Sequence, residues 1–229
     1  MKENSLLRVS AEGADIVVSI LLALAVDAAW DARQAAVAEV AVIRSLLGEI
    51  DVADGYLDGA IREHSRVMAG AEAWGTVSRD VSPDSIARLV RLVTWYRTPN
   101  LALSSADALV SSGQLGLIRD DALRSWIAAW PGVEEDLDEE IGAALEFARF
   151  VAPEFFTSTG VPRAAADGRL WQGGTGAGLE QLIGDPRFAN LYFQAWEVSE
   201  VFVREAEIVR QTLRTGAELG RAALGRSGG

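Results

Sequence analysis

Glu12, Asp15, Ser19, Ala23 and Asp27 recur at steps of three or four through and beside the most apolar stretch of the chain, Ile16 to Val26. On a helix turning about 100° per residue these positions and Arg8 share roughly a third of the circumference. Ile16, Val17, Val18, Ile20, Leu21, Leu22 and Leu24 cover the rest. A file of carboxylates and a hydroxyl can line a wet path for ions, or meet polar groups across a helix interface. It cannot face hydrocarbon alone, because a charge at the bilayer centre costs about 2.5–3.5 kcal/mol on insertion scales. The stripe therefore predicts a helix that packs against its own copies, packs against another protein, or lies on a membrane surface.

Other residue groups offer weaker chemistry. His64 is the sole histidine; one imidazole without clustered partners does not make a metal site, so a structural role is the better reading. A Ser-His-Asp triad built on it would lack any Gly-x-Ser-x-Gly elbow. Glu134, Glu135, Asp136, Asp138, Glu139 and Glu140 open a predicted helix, where carboxylates oppose the positive end of the dipole and stay solvated. They lack the glycine turn and spacing of an EF-hand. Gly173, Gly174, Gly176 and Gly178 lack the Gly-Lys-Ser/Thr ending of a phosphate loop and read as a flexible connection. Ser111-Ser112-Gly113-Gln114-Leu115-Gly116-Leu117-Ile118 reads as a tight turn that plugs Leu115, Leu117 and Ile118 into a core. No catalytic residue, cofactor site or metal site is assigned.

Composition narrows the classes. The net charge is −12, and Lys2 is the only lysine among 21 basic residues. Nucleic-acid binding needs clustered cations, so it is not expected. There is no cysteine, which removes thiol nucleophiles and thiolate metal sites. Arginine in place of lysine, with abundant alanine, is a composition common in GC-rich bacterial genomes. The start is not a convincing cleavable signal, because acids interrupt the approach to the apolar run and Ala28-Ala29-Trp30 continues a helical pattern.

The elements are predicted to be all-α. Residues 1–33 read as a membrane-associated helix, 34–225 as a helical bundle and 226–229 as a frayed tail. Eleven apolar residues rise only about 16 Å against a hydrocarbon core of about 30 Å, and a span from Val9 to Trp30 must include Glu12, Asp15 and Asp27. Downstream, Val40, Ile43, Leu47, Ile50, Leu57, Ile61 and Met68, with Asp54 and His64 between them, form a coiled-coil-like seam. One helix is expected from about 14 to 70, with Gly48, Gly55 and Gly59 as places for a bend. Ser82-Pro83-Asp84 starts a helix that ends near Tyr96. Shorter helices follow at 105–112, at 121–130 (ended by Pro131) and at 133–151, and residues 157–178 read as loop. A last long helix from Pro186 to about Leu224 carries Phe188, Tyr192, Ala195, Phe202, Val209 and Leu213 on one face, antiparallel to the first.

Two segments resemble an uncharacterised bacterial family of membrane-anchored helical proteins, domain-of-unknown-function family 6090. They are the apolar run from Ile16 through Trp30 to Arg33, and Ser111 to Asp120 followed by Leu123-Arg124. The likeness covers about a quarter of the chain, with Ala25 standing where the family often has glutamine and Trp30 displaced. It implies one N-terminal membrane helix and a helical domain, and no activity. The expected function is a non-enzymatic membrane-anchored protein that self-associates through its N-terminal helices, with membrane lipid and a homo-oligomer as partners and an unidentified protein as a further candidate. An oligomeric channel lined by the stripe, and a soluble helical enzyme or ligand-binding domain, are the alternatives. The expected location is the bacterial inner membrane. Lys2 and Arg8 nearly balance Arg33 and Arg44 across the span, which leans to a cytoplasmic start and a periplasmic bundle.

Overall fold

The computed structural model describes residues 3–76, 98–159 and 182–227, with five isolated positions between 77 and 97. Of residues 3–18, Thr159 and Ser227 only the backbone is described. Helix is the only regular secondary structure among the described residues, with no strand. Helix α1 spans Glu3–Trp74, α2 Ser104–Ser111, a 3-10 turn Leu115–Leu117, and α3 Asp121–Glu146. A π turn, Phe147–Val151, leads into α4 at Ala152–Thr159, and α5 spans Pro186–Ser227.

At 72 residues α1 is about 108 Å long. It runs unbroken through Gly48, Gly55 and Gly59 and across the 33/34 boundary expected from sequence. Its buried face is a strict four-three repeat of Glu39, Ile43, Leu46, Ile50, Ala53, Leu57, Ala60, His64 and Val67. Five expected seam positions are buried, namely Ile43, Ile50, Leu57, Ile61 and His64. The interleaved ones shift by one residue, because Leu46, Ala53, Ala60 and Val67 face the core while Leu47, Asp54 and Met68 flank it half-buried. Small alanines carry little hydrophobic signal, yet they let a neighbouring helix approach closely.

That neighbour is α5, antiparallel and in constant register. His64 meets Ser199, Asp54 meets Arg210, and Gly220 packs on Ile43 and Leu47. The face expected on α5 is buried at Phe188, Tyr192, Ala195, Phe202, Val209 and Leu213. Gly216 lets the Trp126 ring lie on the α5 backbone, since an added Cβ would come 2.3 Å from it. Trp126 Nε1 then donates to the Thr212 carbonyl at 2.9 Å. The helix continues to Ser227, with Arg226 ion-paired to Asp120, where a frayed end was expected.

Pro131 does not end a helix; it sits inside α3. Its missing N–H forfeits one bond to the preceding turn, but Leu123, Trp126, Ile127 and Trp130 before it and Leu137 and Ala144 after it are buried and hold both halves in line. Asp120 caps α3, accepting from Leu123 N–H at 2.7 Å. Ser82 behaves as a cap, accepting from Ser85 N–H at 3.3 Å; most of the helix expected there, and nearly all of the 157–178 loop, lie outside the described residues. A second core at the far end stacks Trp74 on Tyr192 with ring centres 5.1 Å apart, and sets Phe188 edge-on to both.

The expected membrane span gains no support: among the described residues, no helix is long and apolar enough to cross a membrane. Ile16, Val17 and Val18 of the apolar run lie ahead of Ser19, where the described side chains begin.

Candidate functional site

The register that joins α1 to α5 also shows where, among the described residues, α1 has no helix alongside. Carried to the end of α5, it sets Ser227 beside Ala36, and Ala36 is half-buried. Every other residue from Ser19 to Ala38 is exposed. Leu22 is 65% exposed and Trp30 63%, with Ile20, Leu21, Leu24 and Val26 similarly bare. Contiguous apolar surface of this kind is uncommon on monomeric soluble proteins.

Of the expected stripe, Ser19, Ala23 and Asp27 are exposed along one side of this arm. The side chains of Glu12 and Asp15 lie outside the described residues. Exposure does not single the stripe out, because the aliphatic residues around it are equally uncovered.

The base of the arm is clamped by Glu39 and Glu49, which sequence reading did not select, and by the turn segment that it did. Gly113, in the left-handed region at φ 69°, turns the chain after α2, and the 3-10 turn delivers Arg119 to α1. The Arg119 backbone N–H donates to buried Glu39 Oε1 at 2.7 Å, and its Nη2 donates to the Ala32 carbonyl at 3.1 Å. Its Nε lies 3.5 Å from Glu39 Oε2. Ten residues along, Glu49 caps α2 from outside: Oε2 accepts from Ser105 N–H at 2.9 Å and Oε1 from Ser105 Oγ at 2.7 Å. The Ser-Ser-Gly-Gln-Leu-Gly-Leu-Ile segment thus docks the small helix where the arm emerges. A glutamate in seam register was the one available signal for Glu39.

Beside this joint lies a shallow groove of about 540 Å³ lined by Ala41, Val42, Ser45, Ala108, Ser112 and Leu117. A second, of about 330 Å³, is flanked by Glu49, Val52, Tyr56 and Asn100. Glu49 already serves Ser45 and Ser105.

His64 is buried between the two long helices, with Nδ1 3.2 Å from Ser199 Oγ and its ring stacked on Phe202 at 3.9 Å. It joins helices rather than opening onto a cavity. Of the acidic stretch, Leu137 between the acids is buried, and Glu134 is half-buried. Burial first, then the charges of Asp107 and Asp138, push the Glu134 carboxyl above the usual carboxylate range. Among the described residues no group of three or more His, Asp or Glu could hold a metal ion. The glycine-rich segment 172–178 lies outside the described residues.

No protein-family model, curated protein or solved structure matches the chain. The arm's own chemistry is the guide to function.

Proposed function

We propose that this protein is a non-enzymatic, membrane-associated assembly module of a bacterium, acting through its N-terminal arm. Arms of separate copies pack together, and residues left outside that contact meet membrane lipid. The exposure of Ile20, Leu21, Leu22, Leu24, Val26 and Trp30 carries this reading. Fully burying one such aliphatic side chain is worth about 1.5–3 kcal/mol. Five more-than-half-exposed aliphatics therefore leave roughly 5–10 kcal/mol per chain available, comparable with the stability of a whole domain. Trp30 suits the headgroup level, and the resemblance to a membrane-anchored family points the same way.

The test compares the full chain with a variant lacking residues 1–30, by membrane fractionation and by native mass in detergent. Ala32 and Glu39, which bind Arg119, remain in the variant. The full chain should be membrane-retained and oligomeric, and the variant released, monomeric and helical by circular dichroism. A full chain that is monomeric and not retained contradicts the reading; ion flux that depends on Ser19 and Asp27 would favour a pore instead.

A further inference from the structure

We propose that one face of α1 at the root of the arm, from Val26 to Arg44, lies along an anionic phospholipid surface, with Arg33 and Arg44 on the lipid phosphates. This rests on the membrane association proposed above and names its face and its lipid. The first support is the spacing. Val26, Trp30, Arg33, Val37, Val40 and Arg44 recur at alternating steps of four and three along an unbroken helix, so they share one side of it. All but Val40 are exposed. Ala23 and Ser19 continue the line upstream, so it carries no acid from Ser19 to Arg44. Asp27 and Asp31, the exposed acids of the same stretch, are turned roughly 90–130° away.

The second support is charge. Arg62, Arg119, Arg210 and Arg226 are each ion-paired to a carboxylate. Arg33 and Arg44 have no such partner among the described residues. Neither has Arg221 of α5, which reaches the same side of α1: it lines one cleft with Leu47 and Asp51, the two positions that follow Arg44 on the line. A chain of net charge −12 is repelled as a whole by an anionic surface. It approaches by the side where arginines stand without acids. Arg33 and Arg44 are about 16 Å apart along the helix and so meet separate headgroups. The third support is the mixture of residue types. Valines and an indole enter the boundary between headgroups and acyl chains, while arginine stems lie along it and hold their guanidinium groups at the phosphates. Contact of this kind needs no span. A second copy of the same face would instead set arginine against arginine.

The test is co-sedimentation of the full chain with vesicles of phosphatidylcholine alone and of phosphatidylcholine mixed with phosphatidylglycerol. Binding to the mixed vesicles should be at least about tenfold stronger, and should weaken as salt rises from about 0.1 M to about 0.5 M. Arg33→Gln combined with Arg44→Gln should remove most of that advantage, and Arg33→Lys combined with Arg44→Lys should keep it. Both variants should keep the parent's helicity and native mass, since neither arginine is ion-paired within the described bundle. Equal binding to the two vesicle types, or undiminished binding of the glutamine variant, would overturn the anionic-lipid face while leaving membrane association standing. A glutamine variant that loses the parent's oligomeric mass would put another copy of the chain on this face, and would overturn it too. Binding to neither vesicle would overturn the membrane association itself.

Discussion

The two ends of α1 invert the usual relation between composition and burial. Three quarters of residues 19–38 are apolar, against half of residues 43–74. Yet the second stretch supplies one wall of the core, and the first is exposed almost throughout. Burial in the second stretch follows from what faces it: the described part of α5 runs alongside from Trp74 to about Ala36. Apolar character alone therefore does not place a helix in a core; a partner of matching length does. On the proposed function, the surplus on the arm is the surface through which copies meet.

The widest separation between the two regions should come from a buried charge. Ile50→Asp leaves a carboxylate in the seam without a partner and should lower unfolding stability by about 3–5 kcal/mol. The same change at Leu22 should shift the bundle's stability by no more than about 0.5 kcal/mol and disperse the assembly instead. Chemical denaturation read beside native mass checks both; equal losses would mean that the arm belongs to the core. Truncation is gentler: Leu57→Ala should cost about 2–5 kcal/mol, and Leu21→Ala close to nothing.

The joint between the regions should respond at an intermediate level. Glu49→Ala removes the external cap of α2 and should cost about 0.5–2 kcal/mol. Hydrogen exchange should show the loss confined to residues 104–118, with α5 unaffected.

The smallest effects are titrations, and they have opposite signs. Arg187 bonds the Asp185 side chain, and backbone N–H groups at the start of α5 assist, holding that carboxyl below the usual range. Its contribution is present above the ordinary carboxylate value and lost as pH falls through the folded one. Asp185→Asn should therefore lose less stability than the parent on acidification from pH 7 to about 3. Glu134 is raised, so its contribution is present below the ordinary carboxylate value and lost as pH rises through the folded one. Glu134→Gln should be more stable than the parent at pH 7, an advantage that disappears near pH 4. Urea unfolding at the two pH values measures both.

Much of the bundle was legible because its signals are local. The apolar face of α5 and the start of α2 follow from spacing and turn residues within a few positions. The seam of α1 was legible at Ile43, Ile50 and Leu57. It was misplaced at Leu47, Asp54 and Met68, which flank the core half-buried, because Ala53 and Ala60 contribute shape rather than hydrophobicity. Pro131 misled for the complementary reason: packing by Trp126 and Trp130 outweighs a lost backbone bond. The clamp at Glu39, Glu49 and Arg119 joins residues 56 and 80 positions apart, which no local spacing reveals. The arm's apolar run was plain in the sequence, but its exposure among the described residues became plain only from the course of α5, which reaches Ala36 at Ser227.

Amide hydrogen exchange across α1 tests the central claim most directly, because a helix held only by its neighbours opens when they leave. The full chain is followed in detergent as the assembly and after dilution to the monomer. Residues 43–74 should keep the same slow exchange in both, and residues 20–34 should be protected in the assembly and exchange at least about tenfold faster in the monomer. Slow exchange of residues 20–34 in the monomer, matching that of residues 43–74, would contradict the account.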